Sequence, residues 1–304
     1  MILMDQPSEN YIRVRDRKSE TGGSRDLSYP ELPEPLVVGT YDNHTHLEIA
    51  DGENPMDYRE HLELANQVGV LGGVQVGGSV ETSRWSAQVA AIEPRLLAAV
   101  ALHPNVAAEY RSIDELDVAI DEIAELAKEP RVRAVGETGL DYFRTAEELL
   151  FLQHHSFERH IQIAKDNNIA LQIHDRDAHE DVVETLLRVG APDKTVFHCF
   201  SGDRALAEIL IENGWYASFS GTMTFKKNQE LRDALAMMPR ELILVETDAP
   251  FLTPEPFRGR PNSPYLIPLT VRRMAEVRGI AAEQMAQELT SNTEAVYGSW
   301  AEGL

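Results

Sequence analysis

A TIM-type (β/α)8 barrel is the α/β fold this sequence predicts, and three observations lead there. From Leu36 onward, short apolar segments alternate with helix-patterned ones, as βα units around a parallel sheet require. Eight such apolar segments occur, the number of strands that closes this barrel. Residue types that ligate metals recur where those segments stop, the face on which barrel enzymes hold their active sites.

Strands are expected at 37–42, 70–76, 97–102, 132–136, 169–173, 195–198, 215–219 and 242–246. Each is rich in Val, Ile, Leu, Ala or aromatic residues and bounded by polar or Gly residues. Helices are expected between them at 57–68, 82–92, 113–128, 147–167, 178–189, 203–213 and 227–237, with a C-terminal group from 264 to 298. Leu150, His154, Phe157, Ile161 and Ala164 recur at helical spacing and are expected to face the barrel wall. Residues 1–36 are polar and interrupted by Gly22-Gly23, Pro30, Pro33 and Pro35, which reads as an extension rather than a domain. Residues 37–304 read as a single barrel domain.

Composition narrows the function classes. Of 304 residues, 43% are hydrophobic and 26% charged, as in an ordinary globular protein. No apolar run approaches a membrane span, and the first residues lack the basic-then-apolar order of a signal peptide. A single cysteine, Cys199, excludes an internal disulfide framework, and the reading is cytoplasmic. The net charge of −22 opposes adventitious binding to nucleic acid or anionic membrane, so a phosphate-bearing substrate needs local positive charge, which bound metal ions supply.

The first strand leads to His44 and His46, which share a face in extended backbone. The third leads to His103, the fourth to Glu137 and Asp141, and the fifth to His174 and Arg176. The sixth leads to His198 and the eighth to Glu246, Thr247 and Asp248. His44, His46, Glu137, His174, His198 and Asp248 suit two adjacent divalent ions. His44, His46 and Asp248 come from strands one and eight, which adjoin in a closed barrel, and are expected to share one ion. His174 and His198 share the other, with Glu137 offering one oxygen to each. Mg, Mn, Zn or a similar ion is implied. Water between such ions becomes a bridging hydroxide, and Asp248 both ligates and accepts its proton. Asp248 and Glu137 are thus the expected catalytic residues.

The stretches Asp42–Leu47, Gly136–Asp141, Gln153 with Phe157, Ile173–Arg176, His198–Gly202, Glu246–Pro250, Arg258–Asn262 and Ser291-Asn292, in this order, resemble the TatD family of metal-dependent deoxyribonucleases. This is a branch of the metallo-dependent, amidohydrolase-like barrels, and the resemblance covers roughly residues 37–298. It implies hydrolysis of DNA phosphodiester bonds, as in a 3′-5′ exodeoxyribonuclease, with two divalent ions at the six positions above. The partners it implies are DNA ends, with no membrane, no obligate protein partner and a monomer. The family often has a second His after the His-Pro pair, where this chain has Asn105, and the short members lack residues 1–36.

His103, Arg176, Arg258 and Arg260 are the expected substrate contacts, with Lys226-Lys227 as further basic residues; Arg176 has Asp141 and Asp177 as alternative partners. Asp42 and Asp141 either orient a ligating imidazole or serve the turns they occupy. His61, His154, His155, His160 and His179 read as surface or packing residues of helices, and Cys199 as a buried structural thiol. The alternatives to a DNase are an amidohydrolase-like enzyme on a carboxylic ester or amide, such as aminoacyl-tRNA, and a barrel that binds metal without turnover. Related barrels often bridge their ions with a carbamylated Lys; Glu137 at that position favours the TatD branch.

Overall fold

The structure, a computed structural model, describes residues 11–18 and 22–303. Part of the expected extension over 1–36, and Leu304, therefore lie outside the described residues. In chain order the elements are β1 (Thr40–Thr45), α1 (Tyr58–Gln67), β2 (Val70–Gly77), α2 (Val80–Ile92), β3 (Leu96–Val100), the short α3 (Pro104–Ala107) and α4 (Ile113–Leu126). They continue with β4 (Val132–Asp141), α5 (Leu150–Asn167), β5 (Ala170–Arg176), α6 (His179–Val189), β6 (Thr195–Phe197), α7 (Arg204–Asn213), β7 (Tyr216–Phe219), α8 (Gln229–Met237), β8 (Ile243–Val245), α9 (Ile267–Arg278) and α10 (Ala282–Tyr297).

The eight strands pair in parallel, each with its sequence neighbour. The seam between β1 and β8 is joined beyond the end of β8. The Asp248 amide donates to the His44 carbonyl at 2.9 Å, and the His46 amide to the Ala249 carbonyl at 2.7 Å. The (β/α)8 barrel read from the alternation is therefore the observed fold. Helix starts follow local chemistry. Asp57 and Ser79 make capping boxes with Glu60 and Thr82, and Asp203 accepts the Ala205 and Leu206 amides.

Alternate residues of each strand face opposite ways, and this divides the core. Leu96, Ala98 and Val100 pack against the helices, whereas Leu97 and Ala99 join Tyr41, Val74, Ala134, Val196 and Leu244 around the barrel axis. Three ligand-bearing strands run further than expected. β1 ends at Thr45 rather than 42, β4 at Asp141 rather than 136, and β5 at Arg176 rather than 173. The cause is pairing: Thr138–Asp141 continue the ladder with Ile173–Arg176 after a register shift. At Gly139 a Cβ would stand 2.1 Å from the His174 carbonyl, so this close approach requires glycine. His44, Glu137 and His174 thus sit within strands, on rigid backbone, rather than in loops.

In α5 the buried face holds Leu152, Gln153, Ser156, Phe157, His160, Ile161, Ile163 and Ala164. Leu150 and His154 fall at its edge, a correction to the expected face: polar Gln153 and His160 are buried because the Asp141 amide of β4 and the Leu102 amide just past β3 donate to them, and Ser156 pairs with His160 within the helix.

Candidate metal centre

Four side chains converge where β1 meets the end of β8. His44 Nε2 and His46 Nε2 face each other at 3.1 Å. Glu137 Oε2 lies 3.8 and 3.7 Å from them, and Asp248 Oδ1 lies 3.8 and 3.5 Å from them. Glu137 then turns its other oxygen to a second set: Oε1 is 2.6 Å from His174 Nδ1, 3.0 Å from His198 Nε2 and 3.3 Å from His103 Nε2. The carboxylate stands between two groups of imidazoles, one oxygen to each. The atoms group naturally as His44, His46 and Asp248, as His44, Glu137 and His198, and as His103, Glu137 and His174. His44 and His198 lie with their rings nearly parallel, centroids 3.8 Å apart.

This arrangement fits a cation. Two facing imidazole nitrogens at hydrogen-bond distance, each opposed by carboxylate oxygens, form a donor set matched to divalent metal. Burial pushes the Glu137 carboxyl upward, yet His103 and His198 hold it well below the usual carboxylate range. Burial works against a proton on His46 and on His198. Even so, Asp248 and Glu48 raise His46, and Glu246 and Glu137 raise His198, well above the ordinary histidine value. His44 goes the other way, held well below that value by burial and by His198 and His46. Binding a metal displaces protons from such ligands, so the cation replaces charge the apoprotein must otherwise hold on imidazole.

The remaining expected residues divide. His103 lies inside the cluster, on Glu137, and its Nδ1 accepts the Asn105 amide at 3.1 Å, capping α3. Asn105, where the resembled family often has a His, donates to Asp141 Oδ2 at 3.0 Å. Asp141 also lies 3.2 Å from His174 Nε2 and therefore orients that ring. Asp42 serves the turn instead, accepting the Thr247 hydroxyl at 2.5 Å and the Thr247 amide at 2.9 Å. Arg176 lies over the ring of exposed Phe143, 4.0 Å to its centroid, and among the described residues pairs with neither Asp141 nor Asp177. Arg258 lies over Phe225 at 4.3 Å. Arg260 is a correction: its donors go to the Ser28 and Tyr29 carbonyls at 2.9 and 2.6 Å, in the segment ahead of the barrel. Cys199 is another, half-buried just past β6 with φ of 42°, its thiol pushed up to about 12 by burial.

Three partners went unassigned in the sequence. Glu246 accepts from His198 Nδ1 at 3.0 Å and from the Cys199 amide at 2.8 Å. The Val76 carbonyl takes His46 Nδ1 at 2.9 Å. His160 accepts the Leu102 amide on Nε2 at 3.1 Å and donates from Nδ1 to the Ser156 carbonyl at 2.6 Å. Read as packing, His160 pins the strand end that delivers His103. Only the Glu246 role had a sequence signal, its place two residues before Asp248.

Residues 41–298 match the family model described as TatD related DNase. A Mycobacterium tuberculosis protein called an uncharacterized metal-dependent hydrolase TatD is 42% identical over 263 residues, covering 84% of this chain and 97% of its own length. An Escherichia fergusonii protein called 3′-5′ ssDNA/RNA exonuclease TatD is 31% identical over 252 residues, covering 80% and 93%. The crystal structure of YjjV, a TatD homologue from Escherichia coli K12, superposes with a TM-score of 0.76 at 27% identity, covering 86% of this chain and 98% of that one. No helix among the described residues is long and apolar enough to cross a membrane. With the strand-end cluster and these likenesses together, the chain belongs to the TatD family of metal-dependent hydrolases.

Proposed function

We propose that this hydrolase cleaves phosphodiester bonds at the 3′ end of single-stranded DNA. The observation that carries the reading is the pair of arginine–aromatic stacks, Arg176 on Phe143 and Arg258 on Phe225, at the end of β5 and on the segments that follow β4, β7 and β8. Single-stranded nucleic acid is held by cations that take phosphate and flat rings that take bases. The Escherichia fergusonii relative, by its name, acts on such strands. In this reading residues 37–304 are the hydrolase domain, working in the cytoplasm as a monomer without an obligate protein partner.

His44, His46 and Asp248 would hold one divalent ion and His174 and His198 another, with Glu137 between. Bound there, the ions supply charge neutralisation at the phosphoryl oxygens and a more acidic water. The chain's own groups do the rest. Asp248 takes the proton of the attacking water on a carboxylate oxygen. Arg176 holds a non-bridging phosphate oxygen by its forked donors. Glu246 and Asp141 keep the His198 and His174 rings in place, so the reacting phosphate meets a fixed frame.

The test is incubation of metal-loaded protein with single-stranded DNA labelled at the 5′ or the 3′ end. The expected result is a shortening ladder from the 5′ label and immediate release of a mononucleotide from the 3′ label, both lost in Asp248→Asn. Intact DNA with every divalent ion, beside turnover of a carboxylic ester, assigns the barrel to ester or amide hydrolysis instead.

A further inference from the structure

The family match begins at residue 41, so the described residues 11–18 and 22–25 lie outside it. That segment nevertheless reaches the metal centre. Arg13–Val14 adds in parallel to Ile49–Ala50, just past His46, with the Ile12 amide on the Glu48 carbonyl at 2.9 Å and the Arg15 amide on the Ala50 carbonyl at 2.9 Å. The Arg15 guanidinium lies over the Phe251 ring, 4.6 Å to the centroid, and Nη1 donates to the Pro250 carbonyl. Pro250 and Phe251 directly follow Asp248 and Ala249, and Phe251 sits edge-on to His46 at 6.4 Å.

The local charge does not cancel. Asp51, its side chain 2% exposed, is clasped by both terminal nitrogens of the equally buried Arg25, at 3.0 and 2.5 Å. One acid and one base are thereby matched. Arg15 shares only Oδ2 of the same carboxylate, at 3.1 Å, and remains 21% exposed. Two arginines on one aspartate leave one positive charge, at the mouth of the centre, in a chain of net charge −22. Arg13, Arg17 and Lys18 are exposed on the same short arm, with exposed Asp16 among them. Fastening the arm does not depend on Arg15. Arg25 reaches the Gly259 carbonyl at 3.2 Å, Arg260 holds Ser28 and Tyr29, and the Tyr265 hydroxyl donates to the Pro30 carbonyl at 2.8 Å.

We infer that the arm is part of the substrate site, with Arg15 binding a phosphate of single-stranded DNA next to the one being cleaved; this rests on the nuclease reading above. The guanidinium then makes a third arginine–aromatic stack on the rim, contributed from outside the barrel, and Phe251 is the ring against which a terminal base lies.

Two measurements test it. Metal-loaded protein is titrated into a fluorescent phosphorothioate oligothymidylate over a range of salt. Arg15→Gln should weaken binding about tenfold and flatten the log–log salt slope by about 0.7, one phosphate contact on a single strand. Arg15→Lys should recover most of the affinity. Turnover of bis(4-nitrophenyl) phosphate, which carries no second phosphate, should fall less than turnover of the oligonucleotide, placing the effect in KM for DNA rather than in the chemistry. On the unaltered protein, which carries no folding risk, phenylglyoxal modification read by peptide mass spectrometry should show Arg15 protected by the oligonucleotide and the exposed Arg111 not. Unchanged affinity in Arg15→Gln, an equal loss on the small diester, or unprotected Arg15 overturns the inference while leaving the nuclease reading in place. Unaltered protein that hydrolyses the small diester but neither binds nor cuts the oligonucleotide overturns both.

Discussion

At the end of the barrel where the strands begin, Arg131 is 2% exposed and spends its donors on five backbone carbonyls. Those of Ala90, Pro94, Leu96, Trp300 and Glu302 receive it at 3.1, 2.9, 2.6, 2.6 and 3.0 Å. Trp300 closes that end by stacking on Tyr41 at 4.0 Å. At the opposite end five imidazoles and two carboxylates crowd together. Both ends bury charge. At the first, Arg131 is satisfied internally, where a charged donor met by carbonyls stabilises the fold. The second turns Nε2 of His44 and of His46 and an oxygen each of Glu137 and Asp248 toward one shared space, a cost to the fold that a bound cation offsets. One end of this barrel is built to be finished, the other to be completed by a ligand.

The contrast can be broken by substitution, one side chain at a time. Asp248→Asn should lower kcat about 10³-fold, roughly 4 kcal/mol in the barrier, without lowering the melting temperature of metal-free protein. A large loss of apoprotein stability would show the upper end to be structural after all. Arg131→Met should do the reverse, costing about 3–4 kcal/mol in urea unfolding by leaving buried carbonyls unpaired, with kcat per folded molecule unchanged.

Acid should separate the ends a third way. His61 and His160 are buried outside the cluster, and burial lowers each from 6.5 to about 4. A histidine whose folded value is depressed stabilises the fold fully above pH 6.5, and loses that contribution as pH falls from about 6.5 to about 4. About 2.5 pH units at about 1.4 kcal/mol each give roughly 3 kcal/mol per group. His160→Gln should flatten the fall in melting temperature across that window; an unchanged slope would exclude His160 as its source. The smallest effect expected is Glu246→Gln, which keeps an acceptor for His198 but removes its charge. Metal affinity, followed by titration calorimetry, should drop ten- to a hundredfold with the fold intact.

How far these features were legible depended on whether each rests on local pattern or on meeting across the chain. The alternation of apolar and helical segments marked all eight strands, because every βα unit repeats the same burial problem. The convergence of the six candidate ligands was legible because strand ends in a closed parallel barrel share one face, whatever their separation in sequence. Strand lengths were not. β4 and β5 extend each other through Thr138–Asp141, and nothing in either segment alone announces that pairing. Arg260 looked like a substrate residue beside Arg258, yet the segment ahead of the barrel takes its donors. His160 looked like packing because its partner, the Leu102 amide, lies 58 residues away.

By itself, then, the amino-acid order determined a parallel eight-stranded barrel and the chemistry gathered at one of its mouths. Burial periodicity and residue type act over a few positions and are written where they act. Tertiary structure alone decided that His103 joins the imidazoles around Glu137, and that Arg15 arrives from outside the family's matched region. Those are meetings of side chains whose separations, from 34 to more than 200 residues, carry no periodic signal; they exist only once the barrel has closed.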